Sequence, residues 1–406
     1  MQLSSLLGHA AELVRIIRKS PQPADAIASE YFRSKKYLGS TDRRFISGLV
    51  FHTLRTLVLS EAVRDHLGLE DVVHGAHVLM DTPEGTDLSF IDALPEHVRV
   101  CTQDWLLDAT RERWPHDAFD VWRAMMSAAP LVLRVNQRRT SRDRVLSHLR
   151  AEGIACDPGT YAPFAIVVHQ RVNLTQHPLY LDGIIEVQDE GSQLVGLACG
   201  VTPSDTILDA CAGAGGKALH LADLQSDHGR ITAHDVEWQR LKEVSKRAAR
   251  AGIRSISIAG PGAFDGRSGR NRGGGHTSTY SLVLVDAPCS GLGTVRRMPM
   301  VKWRITPELL ERHARKQLLV LDQYVPFVED GGVLVYATCS IMPQENEHVV
   351  TRFLAAHPEF TLETIPWSTA AGIPDTLAPQ GASGMFQADP LHHGTDGLFV
   401  ARLRRL

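Results

Sequence analysis

The chain has 406 residues, with 43 Lys and Arg against 46 Asp and Glu for a formal net charge of −3; that length exceeds one ordinary domain, so two or three are expected. At 43% hydrophobic and 22% charged residues it has the makeup of a globular protein, which excludes collagenous and disordered classes. No apolar run reaches the length of a membrane span, Arg15, Arg18 and Lys19 follow the first apolar residues where a secretory signal would place its charges before them, and the six cysteines form no CxxC pair, so the expectation is a cytoplasmic protein without disulfides, metal or membrane contact. A monomer is expected, although the sequence does not show the oligomeric state.

Residues 1–128 read as an all-α module. In the stretch from Asp42 to Arg55, Ile46, Leu49, Val50, Thr53 and Leu54 recur at helical spacing, and Thr41 or Asp42 is the expected N-cap. Arg15 to Arg55 is basic, with Lys35, Lys36, Arg43 and Arg44, whereas Glu61 to Asp120 is acidic. Residues 129–186 change character. Leu131 to Asn136 and Phe164 to Val168 read as strands, and Ser141 to Glu152 as a helix, which together make a small α/β unit. It carries a second basic cluster, Arg134, Arg138, Arg139, Arg142 and Arg144. Such segregation gives a nearly neutral molecule a basic face fit for nucleic acid, and it is equally compatible with solvated helix faces.

From 187 to 406, apolar strands alternate with helical patterns, which implies a parallel sheet. The strands fall at Ile207-Leu208, Ile231 to Ala233, Ile256 to Ile258, Leu282 to Val285, Gly332 to Val335 and Leu398 to Ala401. A third basic stretch runs from Arg240 to Arg254, with Lys242, Lys246, Arg247 and Arg250. Residues 260–279, rich in Gly, Arg and Ser, are expected to form a mobile loop.

Chemistry concentrates just past the strand ends, where a doubly wound sheet opens its ligand crevice. Asp209-Ala210-Cys211-Ala212-Gly213-Ala214-Gly215-Gly216-Lys217 follows the first of these strands and opens a helix; its glycines let the backbone approach a ligand. Asp235 closes the next strand, where a carboxylate commonly holds a ribose diol. The dinucleotide pattern G-x-G-x-x-G is missing, which disfavours a nicotinamide oxidoreductase, and Ala218 after Gly216-Lys217 breaks the P-loop. Two acids around a glycine turn suit a nucleoside with a cationic tail, as in S-adenosylmethionine. Two cysteines then stand at later strand ends, in Asp286-Ala287-Pro288-Cys289-Ser290-Gly291 and Tyr336-Ala337-Thr338-Cys339-Ser340. A thiolate that adds to carbon 6 of a pyrimidine makes carbon 5 nucleophilic enough to accept a methyl group, which is covalent catalysis dividing one hard step into easier ones. Residue types alone leave open which thiol attacks.

In these motifs the chain resembles the Nop/Sun family of RNA 5-methylcytosine methyltransferases, and within it the bacterial type that modifies small-subunit ribosomal RNA. The resemblance also covers Asp42 to Ile46, Leu133 to Asn136, Gln188 to Gln193, Arg296-Arg297, Lys302-Trp303 and Asp396 to Phe399. It implies a Rossmann-like methyltransferase domain over 187–406, a NusB-like RNA-binding domain over 1–128 and an RRM-like α/β domain over 129–186. It further implies S-adenosylmethionine as cofactor and RNA, of the 16S ribosomal type, as partner. By resemblance Cys339 is the nucleophile and Cys289 the helper in releasing the adduct. The backbone of Cys211, Ala212, Gly213, Ala214, Gly215, Gly216 and Lys217 would cradle the methionine part, Asp235 the ribose, and Asp286 the cofactor amine or the target base. Lys302 and Trp303 are candidates for an RNA entrance, with a core position the alternative for Trp303.

This sequence departs from the family at three places. Ala212-Gly213-Ala214 stands where Ala-Ala-Pro is usual, and Met300 replaces an acid. Ala259-Gly260-Pro261 occupies the place of an acid near the adenine, with Asp265 the nearest carboxylate. Competing readings are an enzyme acting on transfer RNA and a non-catalytic RNA-binding assembly factor; an intact pair of thiols beside Asp286 weighs against the latter, since binding needs no nucleophile.

Overall fold

A computed structural model describes residues 1–170, 172–264, 278–367 and 383–406. Two compact units are present: Met1–Ala129 with Gly291–Thr306, and Pro130–Ser290 with Pro307–Leu406.

The first unit is helical, with helices Leu3–Lys19, Ala24–Ser34, Ser40–Arg55, Leu57–Leu67 and Val72–Met80 ahead of shorter turns. Leu13, Ile17, Ile46, Leu49, Val50, Leu54, Val73 and Ala76 form its core, as the helical periodicity requires. Thr53 shares that buried stripe because its hydroxyl donates to the Leu49 carbonyl at 2.8 Å. The third helix starts earlier than the sequence reading placed it, with Gly39 as N-cap, so Thr41 and Asp42 lie inside the first turn. A carboxylate there still complements the positive end of the helix dipole. Among the described residues, no single helix is long and apolar enough to cross a membrane.

Gly291–Thr306 belongs to this helical unit although the residues on either side of it do not. Met300 joins its core. Lys302, expected at an RNA entrance, is 1% exposed, and its ammonium donates to the Arg55 carbonyl at 2.7 Å. Carbonyls at a helix C-terminus lack intrahelical partners and carry negative partial charge, which is why a buried cation is tolerated at the end of Ser40–Arg55. Trp303 packs partly buried against the same core, its indole N–H 3.4 Å from the Leu54 carbonyl. The Gln103 amide donates to the carbonyls of Lys302 and Ile305 at 2.6 and 3.0 Å, and Arg304 donates to Ser20 at 2.6 Å.

The second unit contains two sheets. Strands β1 (Leu131–Val135), β2 (Cys156–Pro158), β3 (Ala165–Val168) and β4 (Ile185–Val187) form an antiparallel sheet in the order β2-β3-β1-β4. The larger sheet comprises β5 (Thr206–Asp209), β6 (Arg230–His234), β7 (Ile256–Ala259), β8 (Tyr280–Asp286), β9 (Val328–Thr338), β10 (Phe360–Leu362), β11 (Met385–Ala388) and β12 (Leu398–Arg405). Its order is β10-β12-β9-β8-β5-β6-β7, with β11 paired to β12. Strands β5 to β9 pair in parallel, whereas β12 runs antiparallel to β9, β10 and β11. The expected all-parallel sheet is therefore mixed, because the terminal strand returns without a crossover helix. The apolar runs are continuous since both faces are covered: Leu282 packs with Ile207 and Val333 on one side, Val283 with Leu208 and Leu334 on the other.

Part of the basic sequence is used internally. Arg134 is buried, and Arg138 donates to the Gly252 carbonyl and pairs with Asp227. Arg247 and Arg250 both bind the buried Glu186 carboxylate, which fastens β4 to helix Trp238–Ala251. Arg139, Arg144, Arg240, Lys242, Lys246 and Arg254 stay exposed. Most of the glycine-rich stretch, and Asp265 with it, lies outside the described residues.

Burial pushes the Lys302 ammonium down to about 8 from its ordinary 10.5, aided by the Arg55 charge and opposed by Cys101. Between those values the unfolded chain binds more protons than the folded one, so this lysine's contribution to stability improves as pH rises. Unfolding titrations of the intact chain and of Lys302→Met should therefore diverge, with the intact chain gaining on the variant as pH rises from 8 to 10.5. Parallel curves across that range would contradict the burial of a titrating ammonium here.

Candidate active site

In the sheet order, β5 lies between β6 and β8, so the connections leaving it diverge and open a crevice at the C-terminal strand ends. Asp209 ends β5, Asp235 follows β6, Asp286 ends β8 and Cys339 follows β9. All are brought to that edge by strand register alone.

The turn from Asp209 to Lys217 is glycine-dependent at two positions. Gly213 has φ 55° and Gly215 φ 83°, a region that costs any side chain with a Cβ. Gly215 caps the helix Gly216–Leu224. The Asp235 carboxylate accepts the backbone N–H groups of Gly213 and Glu237, each at 2.8 Å, and so fixes the glycine turn to the end of β6. Ala212 adds a backbone bond to the His234 carbonyl at 2.8 Å.

Charge at this edge is lopsided. Asp209 is fully buried; burial and the neighbouring Asp286 push its carboxyl up to about 7, against the pull of Lys217. Lys217 is neither a solvent-facing helix start nor free, because its ammonium lies 2.6 Å from the Asp286 carboxylate. Burial works against that ammonium, but Asp286 outweighs it and the pKa is raised. Lys217 also interacts electrostatically with Cys339. Cys211 packs against the apolar cluster that holds Leu208 and Val283; burial first, then three carboxylates, drive its thiol far above the ordinary range, so it stays protonated and unreactive.

The two thiols that follow β8 and β9 form a pair. Cys289 and Cys339, both partly exposed, stand with sulfur atoms 3.3 Å apart. A polar network that the sequence reading missed lies behind them. The Glu345 carboxylate, fully buried, accepts the Ser290 N–H at 2.8 Å, the Ser290 and Ser340 hydroxyls at 2.5 Å each, and the Gln317 amide at 3.0 Å. Asn346 accepts the Thr338 hydroxyl at 2.6 Å and donates to the Ser340 carbonyl at 3.0 Å. In the sequence, Met342-Pro343-Gln344-Glu345-Asn346-Glu347-His348 resembles an exposed helix start, and no periodicity marks its buried members.

Elsewhere in this unit, and among the described residues, His148, Glu152 and His177 bring potential metal-ligating atoms within 4.8 Å of one another. His177 Nδ1 accepts the Leu179 N–H, which leaves the ring proton on Nε2, 2.7 Å from Glu152. The group is thus held together by its own hydrogen bonds.

Comparison with known proteins gives two family matches: 16S rRNA methyltransferase RsmB/F over residues 197–404, and the RsmF/B-like ferredoxin-like domain over 103–175. The probable ribosomal RNA small subunit methyltransferase B of Bacillus subtilis is 31% identical over 352 residues, 84% of this chain and 75% of that protein. The protein of the same name from Synechocystis sp. is 32% identical over 304 residues, 74% of this chain and 66% of that protein. The matched stretch therefore spans 75% and 66% of these relatives' length. Among solved structures, NSun6 from Pyrococcus horikoshii with SFG shares the fold, with a TM-score of 0.64 at 18% identity over 75% of this chain and 98% of that one.

The ion pair at the strand ends should matter to folding before any ligand is considered. Lys217→Met leaves the Asp286 carboxylate facing Asp209, and should lower stability by about 1–3 kcal/mol, less than for a fully buried pair because Asp286 is partly solvated. Denaturant unfolding measures this directly; an unchanged midpoint would mean that the pair contributes nothing.

Proposed function

The chain belongs to the 16S rRNA methyltransferase RsmB/F family, and on that footing we propose that it transfers a methyl group from S-adenosylmethionine to carbon 5 of a cytosine in small-subunit ribosomal RNA, through a covalent bond to Cys339. The observation that carries this reading is the thiol pair, 3.3 Å apart at the ends of neighbouring parallel strands beside the glycine turn.

The residues at the turn fit the cofactor. Asp209, Asp235 and Asp286 set three carboxyl groups near the Lys217 ammonium, with the Arg240 guanidinium beside Gly213, an acidic edge that suits a cationic ligand; burial first, and Asp286 after it, raise the Asp209 carboxyl. The two left-handed glycines let the turn close, and the space beside them is taken by the Arg240 guanidinium and the Val244 side chain. Asp235 would hold the ribose, the backbone from Cys211 to Lys217 the methionine part, and Asp286 the amine or the base edge. When bound, the cofactor supplies an electrophilic methyl group on a sulfonium.

The target cytosine must leave its stack, since carbon 6 is shielded within a helix. The Cys339 thiolate then adds to carbon 6, which makes carbon 5 an enamine-like nucleophile for the methyl group. Loss of the carbon 5 proton and expulsion of the thiolate restore the ring. Cys289 would assist the proton transfers of that release, while Asp286 is held 2.6 Å from the Lys217 ammonium. The exposed members of the basic clusters would bind the RNA backbone. Ribosomal RNA as substrate places the protein in the cytoplasm.

Cys339→Ala should abolish both methylation and any RNA-linked species on denaturing gels. Cys289→Ala should form the linked species and release it slowly, so that protein and RNA remain joined. A linked species that survives in Cys339→Ala and is lost in Cys289→Ala would reverse the roles; methylation intact in both variants would remove covalent catalysis.

A further inference from the structure

We propose that Glu345 is a positioning residue that sets the separation of the two thiols and thereby the balance between forming and releasing the covalent adduct. Its consequence for turnover rests on the function proposed above; its effect on thiol separation does not.

Each thiol is followed in sequence by a serine, and both serines end on the same carboxylate. Ser290 binds it through N–H and hydroxyl, at 2.8 and 2.5 Å, and Ser340 through its hydroxyl at 2.5 Å. The two hydroxyls stand 3.3 Å apart, the same spacing as the sulfurs one residue earlier. A fourth donor, the Gln317 amide at 3.0 Å, also binds the Pro288 carbonyl at 3.2 Å, so the residue before Cys289 is tied to the same point. The backbone of Glu345 is anchored in turn, its carbonyl accepting the Tyr336 hydroxyl at 2.5 Å from within β9.

The chemistry explains why a carboxylate stands here. Four donors converge on one buried group, and only an ionised carboxylate offers acceptors on both oxygens without a competing proton. A glutamine would match the shape, but its one NH₂ would face either the two hydroxyls, which would have to turn and accept, or the Ser290 N–H and Gln317 amide, which can only donate there. Burying a charge is unfavourable unless hydrogen bonds replace its hydration, and those four bonds do so here. A helix start or turn could be fastened at far lower desolvation cost by a neutral side chain. This carboxylate instead spans two loops, Pro288–Ser290 and Cys339–Ser340, that no strand pairing joins beyond Ala287, whose N–H binds the Ala337 carbonyl. Past that point, the spacing of the sulfurs follows from where the serines are held.

The test uses the full chain without RNA or cofactor. Diamide oxidises two nearby thiols to a disulfide, its N=N bond taking up the two electrons and two protons and becoming a hydrazine. The rate of Cys289–Cys339 linkage, read by peptide mass spectrometry, reports on their separation; alkylation of each thiol by iodoacetamide controls for exposure. In Glu345→Gln, linkage should slow by on the order of tenfold or more while alkylation is unchanged, since small misplacements strongly reduce reactions between held groups. Ser290→Ala with Ser340→Ala removes both hydroxyl donors, should slow linkage in the same direction, and decides the matter if Glu345→Gln does not fold. With RNA and cofactor added, Glu345→Gln should change the ratio of linked species to methylated product, with KM for the cofactor unchanged. Linkage at the unaltered rate in both variants would overturn the proposal. Slowed linkage in an enzyme that never forms an RNA adduct would instead overturn the function proposed above and leave this inference standing.

Discussion

The parallel register of β8 against β9, with Asp286 opposite Ala337, brings the two cysteine loops out at the same end of the sheet and on neighbouring strands. Everything at the site depends on it. A slip of one residue would turn every β9 side chain to the opposite face and carry Cys339 away from Cys289. Two apolar clusters oppose such a slip, because Leu282, Leu284, Val333 and Val335 fill one side while Val283, Val285, Leu334 and Tyr336 fill the other. The energy that fixes the thiols is therefore mostly hydrophobic burial some way from them, and hydrogen bonds to Glu345 refine what the sheet has already set.

Electrostatics at the strand ends follows from the same convergence. Parallel strands deliver Asp209, Asp235 and Asp286 to one edge, and mutual repulsion would leave the crevice unstable without a counter-charge. Lys217 provides one, at the start of the helix that the glycine turn opens. Asp235 is stabilised differently, by two backbone N–H groups, and so spends its charge on holding the turn. What remains is an acidic edge on which a cationic ligand would find Asp209 and Asp286 together.

The legible parts of this fold were those governed by periodicity. The buried stripe Ile46, Leu49, Val50, Thr53 and Leu54, the apolar strands and the glycine turn all follow from local pattern. Less was legible where distant segments meet. Lys302 is a charged residue between Val301 and Trp303, and nothing nearby in sequence reveals that helix Ser40–Arg55 ends against its ammonium. Arg134, Arg247 and Arg250 counted as parts of basic clusters, yet their surroundings are carboxylates from remote elements. Glu345 and Asn346 are buried by loops that only the sheet brings together. The antiparallel return of β12 was likewise hidden, since an apolar strand carries no mark of its direction.

Carbon 5 of cytosine as the site of transfer is the claim that gives the paired thiols their purpose, and it can be tested by following the hydrogen that must leave. Small-subunit ribosomal RNA bearing tritium at carbon 5 of its cytosines would be incubated with the protein and S-adenosylmethionine, and both tritium in water and methyl groups in RNA counted. The account predicts one tritium released for each methyl group gained, with neither seen in Cys339→Ala. Methyl transfer with tritium fully retained would place the reaction at another atom and contradict it.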